Sequence, residues 1–339
     1  MELFANMRNY FSFNLKTKAV LLPILAGWVV FFCFSVTKHL LFDGGAVFAA
    51  TETVNGQLVL NLLAYALMIY VALVVVASLM YFIVERSVSA LGYKESAFDT
   101  DFHFGEYMKQ ILPDALFTVV TVGVYAPWFL TRVMCYFSRR IVHGGNILEF
   151  EGKPMSLFNI LILLYVLPAV VFEVAMKRVE TLFMEDQGML LFWCVLLVGF
   201  FFMAISMYTA GLYVKWMLRG WYGNRRIIST VSMWDGGWYV FGQLLLTVIT
   251  LGLYAPAASL KLWRYFAQSV VVGTDKVEGR FGMDLSIWRD WLYVLGQMLL
   301  LIVTLGVYMP WYYTKLYNRF IPRLYVESVD RPIDPMSDF

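Results

Sequence analysis

The sequence predicts an all-α polytopic membrane protein: four full transmembrane helices, three interrupted, re-entrant helical hairpins, and an internal duplication. Three observations carry that fold class. Hydrophobic residues make up 60% of the 339 and charged residues only 15%, which is too apolar for a soluble chain of this length. Four runs, Ala19–Leu41, Leu58–Val84, Ser156–Met176 and Met189–Val214, each reach the roughly 20 apolar residues that a spanning helix needs. Finally, T-x-G-x-Y-x-P is written three times, as TVGVYAP at 121–127, TLGLYAP at 250–256 and TLGVYMP at 304–310.

Taken in order, residues 1–18 mix Phe, Met and Tyr with polar residues, which suits an interfacial segment. Arg8, Lys16 and Lys18 precede the first apolar run, but that run is longer than the roughly 7 to 15 residues of a signal-peptide core, so a retained span is expected. Residues 19–152 then form a first repeat unit of two spans and a motif hairpin, and residues 153–282 a second of the same order. Residues 283–325 form a third hairpin, and the acidic, proline-interrupted tail 326–339 reads as disordered. Aligned on the motif tyrosines, the first two copies stay in register through Tyr136-Phe137 and Tyr265-Phe266 to Glu149 and Glu278. The second and third match backwards, Gly242-Gln243 against Gly296-Gln297 and Trp234 against Trp288. Such gap-free register points to duplication. The stretches IVHGGNILEFEGK and VVVGTDKVEGRFG, which follow the first two motifs, are rich in β-branched residues and glycine and read as short strands or turns at the cytoplasmic surface.

Charge placement sets the topology. If every motif segment crossed the membrane, Lys and Arg would divide evenly between the two sides. If the motif segments enter and leave on one face, only Lys38, Lys177 and Arg178 of the 26 basic residues lie on the far side. The cytoplasmic excess of Lys and Arg favours the second arrangement, with both termini cytoplasmic. Local chemistry points the same way. Gly123, Gly252 and Gly306 relax the backbone, while the residue before Pro127, Pro256 and Pro310 is pushed out of the helical region. Each proline can then open a returning helix, and Tyr125, Tyr254 and Tyr308 are placed to cap the turn or to face a substrate.

A polar stripe climbs each rising limb. Asp114, Thr118 and Thr121 in the first copy correspond to Gln243, Thr247 and Thr250 in the second, and to Gln297 and Thr304 in the third, where Leu301 takes the middle place. The spacing i, i+4, i+7 puts them on one helical face. The stripes fit either a polar conduit where the hairpins meet or hydrogen-bonding glue between helices. Arg132, Lys261 and Lys315, seven residues after each motif Tyr, read as basic anchors at the cytoplasmic interface.

No catalytic, cofactor or metal signature is present. His39, His103 and His143 are far apart without an H-E-x-x-H, there is no G-x-S-x-G, and Cys33, Cys135 and Cys194 have no ligand spacing. The net charge of +2 is spread over segment ends, which argues against nucleic acid. The expected partner is the lipid bilayer, with a homo-oligomer and a small solute left open, and no enzyme activity is expected.

The run from FHFGEYMKQ through TVGVYAPWFLTRVMCYF to a glycine, Phe102 to Gly144, together with TLGLYAP and TLGVYMPW, resembles the YjgN-like family of bacterial inner-membrane proteins, whose domain has no known function. The second copy departs from the pattern, with Ala257 where the others have Trp128 and Trp311. The resemblance implies a bacterial inner membrane and supplies no reaction. Two functions follow as expectations: a small-solute permease or channel built on the hairpins, or an envelope scaffold or regulatory protein without transport activity.

Overall fold

The computed structural model describes residues 8–38, 56–166, 211–274 and 276–332, with isolated helical residues between 169 and 209. It overturns the all-α expectation. Among the described residues are eleven strands, β1 (Arg8–Phe13), β2 (Leu91–Tyr93), β3 (Ser96–Ala97), β4 (Asp99–Thr100), β5 (Ile141–His143), β6 (Asn146–Phe150), β7 (Gly220–Tyr222), β8 (Arg225–Ser229), β9 (Val270–Gly273), β10 (Lys276–Met283) and β11 (Leu324–Pro332), set between groups of helices. Among the described residues the helices include α1 (Thr17–Lys38), α2 (Gly56–Ser89), α3 (Phe104–Val120), α4 (Ala126–Ser138), α5 (Pro154–Leu161), α6 (Met233–Ile249), α7 (Ala255–Gln268), α8 (Ile287–Val303) and α9 (Met309–Phe320), and residues 211–217 are helical too.

The strands arise where the sequence turns tightly. Gly144 and Gly145 take φ of 55° and 79° between β5 and β6, and Gly223 takes 58° between β7 and β8, as two-residue hairpin loops require. Lys94 and Glu95 adopt the same left-handed region, at 50° and 64°, without glycine. β11 also takes in residues 326–332 of the tail expected to be disordered, pairing antiparallel with β10 from Met283↔Leu324 to Lys276↔Pro332. The N-terminal segment, expected at a headgroup interface, supplies β1.

Only two described helices, within Thr17–Val36 and Leu62–Ser89, are long and apolar enough to cross a membrane. Just 6% and 11% of their apolar windows are buried, so they are not the core helices of a soluble protein, and they point to membrane association. The third expected span begins as α5 and a π-helical turn, Ile162–Val166. The rest of it, and nearly all of Met189–Val214, lie outside the described residues.

One connection rule recurs. α1 and α2 leave β1 and return to β2, its antiparallel partner (Phe11↔Tyr93). α3 and α4 leave β4 and return to its partner β5 (Thr100↔Ile141). α6 and α7 leave β8 and return to its partner β9 (Ser229↔Val270), and α8 and α9 leave β10 and return to its partner β11. Each helix pair is thus an excursion from one strand to the next, which forces both of its ends onto the same side.

The chain divides into two compact units. One comprises Asn9–Leu148 and Tyr293–Arg323. Its aromatic core joins α2, α3 and α4 through Tyr81, Tyr107, Tyr136 and Phe137, with the Tyr107 hydroxyl donating to the Ala77 carbonyl at 3.1 Å. A second cluster, Phe13, Leu15 and Val20, packs on Tyr313 and Tyr317 of α9. There Asn318 Oδ1 accepts from the Leu15 amide, and its Nδ2 donates to the Leu15 carbonyl, both at 2.9 Å. The third hairpin, expected as a domain of its own, therefore belongs largely with α1. The other unit comprises Glu149–Leu292, Met1–Arg8 and Leu324–Phe339. It holds the run β11-β10-β9-β8-β7 and the α6–α7 hairpin.

Candidate functional site: three clasped hairpins

The three motif segments are helical hairpins of one geometry. Thr121, Thr250 and Thr304 end the rising helix, and each hydroxyl donates to the carbonyl four residues back, Phe117, Leu246 or Leu300, at 2.7–2.8 Å. The same oxygens accept from the amides of Tyr125, Tyr254 and Tyr308 at 3.0–3.2 Å. One threonine thus ties the end of the outgoing helix to the start of the returning one. Between them the residue before each glycine is left-handed: Val122 at φ 50°, Leu251 at 51° and Leu305 at 50°. Sequence reading passed over these positions, because it assigned all the backbone strain to glycine. Gly123, Gly252 and Gly306 follow at 87°, 88° and 88°, and their amides bond the carbonyls of Thr118, Thr247 and Leu301 at 2.7–2.8 Å. Pro127, Pro256 and Pro310 then sit in the first turn of the returning helix, where a missing N–H costs nothing.

The polar residue of the rising limb and the base of the returning limb lie nine positions either side of each glycine. Side chains so placed meet only if the limbs run antiparallel and side by side, and in every hairpin they do. Asp114 Oδ1 accepts from Tyr125 Oη at 3.2 Å and from Arg132 Nη1 at 2.6 Å. Gln243 Oε1 accepts from Tyr254 Oη at 2.9 Å, and that hydroxyl accepts from Lys261 Nζ at 2.8 Å. Gln297, Tyr308 and Lys315 repeat the relay, at 2.8 Å for each step. Each cation also approaches the face of its tyrosine ring, at 5.9, 5.3 and 5.4 Å from the centroid. Tyr125 and Tyr308 stack on Trp128 and Trp311. Ala257 leaves the second hairpin without this layer.

The stripe threonines are committed locally as well. Thr118 and Thr247 hydroxyls donate to the carbonyls of Asp114 and Gln243 at 2.8 Å. Asp114 is wholly buried, and its Oδ2 has no hydrogen-bond partner among the described residues. A carboxylate so placed is tenable because the Arg132 guanidinium lies against its other oxygen. The bases expected as interfacial anchors each bond the tyrosine hydroxyl or the limb opposite, while Arg132 and Lys315 stay exposed. The tips carry the opposite character: Val122, Leu251 and Leu305 are 92%, 94% and 83% exposed, flanked by exposed Val124, Leu253 and Val307. Among the described residues no group of His, Cys, Asp and Glu could hold a metal ion.

A family model of bacterial proteins of unknown function (DUF898) matches residues 23–279, more than half the chain, taking in the first two hairpins and ending before the third. No curated protein and no solved structure matches it. On the strength of that match the chain belongs to this bacterial family, the YjgN family.

Proposed function

We propose that the chain is a multi-pass protein of the bacterial inner membrane that acts as an envelope scaffold or regulatory protein, with its hairpins embedded from the cytoplasmic face. The observation that carries this reading is the pairing inside each hairpin. The polar groups that a permease would use to line a path are consumed by their own clasp, while the tips offer only Val and Leu outward. An apolar tip whose polar neighbours bond one another is what hydrocarbon tolerates. The rising limbs have 17 residues and the returning limbs 12 to 14. At about 1.5 Å per residue they reach roughly 18 to 26 Å, short of the roughly 30 Å hydrocarbon core, so they enter without crossing. The strand-to-neighbouring-strand connections and the one-sided basic residues support cytoplasmic termini, and the common clasp supports descent from one duplicated unit.

Reconstitution tests the reading in two arms. Fluorophores on cysteines placed at Val122, Leu251 and Leu305 should be quenched by lipids brominated in the acyl chain and shielded from aqueous iodide. Proteoliposomes of folded protein should take up a broad solute panel no faster than empty ones. Solute uptake that disappears in Gln243→Leu with Gln297→Leu, at unchanged folded yield, would restore the permease.

A further inference from the structure

The unit formed around residues 149–292 contains a cavity of about 330 Å³ that the hairpins do not use. Lys153, Lys215, Arg219 and Arg226 line it, with Ser156 and Asn159 on α5. Three pieces of chain bring the four cations together: the entry to α5, the end of the helix at 211–217 leading into β7, and β8. The Trp216 indole nitrogen donates to the Lys153 carbonyl at 2.9 Å and locks the first piece to the second. The backbone bond from the Glu151 amide to the Arg219 carbonyl, at 3.1 Å, does the same from the strand side. Glu151, which is not among the lining residues, lies 3.4 Å from Arg219 and 4.0 Å from Arg226. Among the described residues the lining holds four bases and no acid, a positive excess in a partly enclosed space, where charge attraction is screened less than in open water. Burial pushes the Lys215 ammonium below the usual lysine range, and an anion in the cavity would favour its charged form.

We propose that this cavity binds a phosphate-bearing anion, held by Lys153, Lys215, Arg219 and Arg226 with Ser156 and Asn159 as neutral donors. The volume suits a phosphate group with a small polar substituent, and guanidinium groups pair well with phosphate oxygens. The site lies where helices meet strands, the level at which lipid headgroups sit if the helices are embedded. A phospholipid headgroup as the source rests on the membrane reading above, whereas a soluble phosphate ester does not.

Full-length protein in phosphatidylcholine nanodiscs with and without phosphatidylglycerol, and in detergent titrated with inorganic phosphate or glycerol phosphate, separates the sources. Trp216 fluorescence and native mass spectrometry give the readout. Retention of phosphatidylglycerol over phosphatidylcholine assigns a headgroup site, and saturable binding of the soluble phosphates without lipid preference assigns a soluble ligand. In either case Lys153→Gln and Lys215→Gln should each weaken binding about fivefold, while Glu151→Gln should strengthen it by removing the competing carboxylate. The gain in Glu151→Gln keeps the test decisive even where a lysine variant folds poorly. Absence of binding by every probe, or affinities in all three variants equal to the parent, overturns the proposal.

Discussion

The first hairpin and the other two solve one geometric problem with different charges. In the first, a buried carboxylate sits at the centre, and both the Tyr125 phenol and the Arg132 guanidinium donate to Asp114 Oδ1. In the second and third the centre is a neutral amide, and the lysine reaches it only through the tyrosine hydroxyl. The lesson concerns what each clasp can lose. Removing one member of a buried ion pair strands a charge, whereas removing one member of a neutral relay strands only a hydrogen-bonding group. The first clasp should be the stronger and the more brittle.

The sharpest way to break the contrast is Arg132→Met, which leaves Asp114 buried without its counter-ion. A loss of about 3 kcal/mol is expected, at the low end for a buried pair because the arginine side chain is half exposed. Lys261→Met and Lys315→Met should each cost about 1 kcal/mol or less, all read as thermal melting in detergent. Converting the first clasp to the chemistry of the others, Asp114→Gln with Arg132→Lys, should recover most of the loss, and failure to recover would mean that the carboxylate has a role of its own.

Next in size are the turn glycines, which share a φ of 88° but not their surroundings. A Cβ on Gly252 meets nothing within 4 Å, while one on Gly306 would run into the Trp28 indole of α1. Gly252→Ala should cost about 1 to 2 kcal/mol for the left-handed backbone, and Gly306→Ala about 1 to 3 kcal/mol more for overpacking. Trp28→Ala should narrow the gap between them. Equal melting temperatures for the two glycine variants would show that Trp28 does not pack on the tip.

A subtler measurement removes the phenol. Tyr254→Phe and Tyr308→Phe cut the relay in the middle and should cost about 1 to 3 kcal/mol each. Tyr125→Phe should cost less, about 1 kcal/mol, because Arg132 still serves Asp114. The smallest effect is expected from Thr121→Val, Thr250→Val and Thr304→Val. Each removes one bond to a tyrosine amide, about 0.5 to 1.5 kcal/mol, and the three should be alike, since this part of the turn is the same in all hairpins.

The amino-acid sequence alone determined the hairpins to a large extent. Gly followed by x-Tyr-x-Pro turns the helix in all three copies because φ above zero at the glycine is a local constraint, but the residue before each proline, Ala126, Ala255 or Met309, is helical and not pushed out of the helix as expected. The stripe residues Asp114, Gln243 and Gln297 and the bases Arg132, Lys261 and Lys315 were also legible as a repeated pattern. Their pairing was not: a period of 3.6 shows which residues share a face, but not that positions nine either side of a glycine touch across a turn. The stretches that hold β5, β6, β9 and β10 were legible as short strands or turns, but the other strands were hidden. β2 and β7 have three residues each, too few for a period of two to show beside long apolar helices, and pairings such as β1 with β2 and β4 with β5 join strands a helix pair apart in the chain. Only the tertiary structure could decide that each helix pair leaves one strand and returns to its neighbour, that the third hairpin joins the segment before α1 through Asn318, and that Lys153, Lys215, Arg219 and Arg226 line one cavity. Those are contacts between distant segments, and their energies depend on proximity that no local pattern encodes.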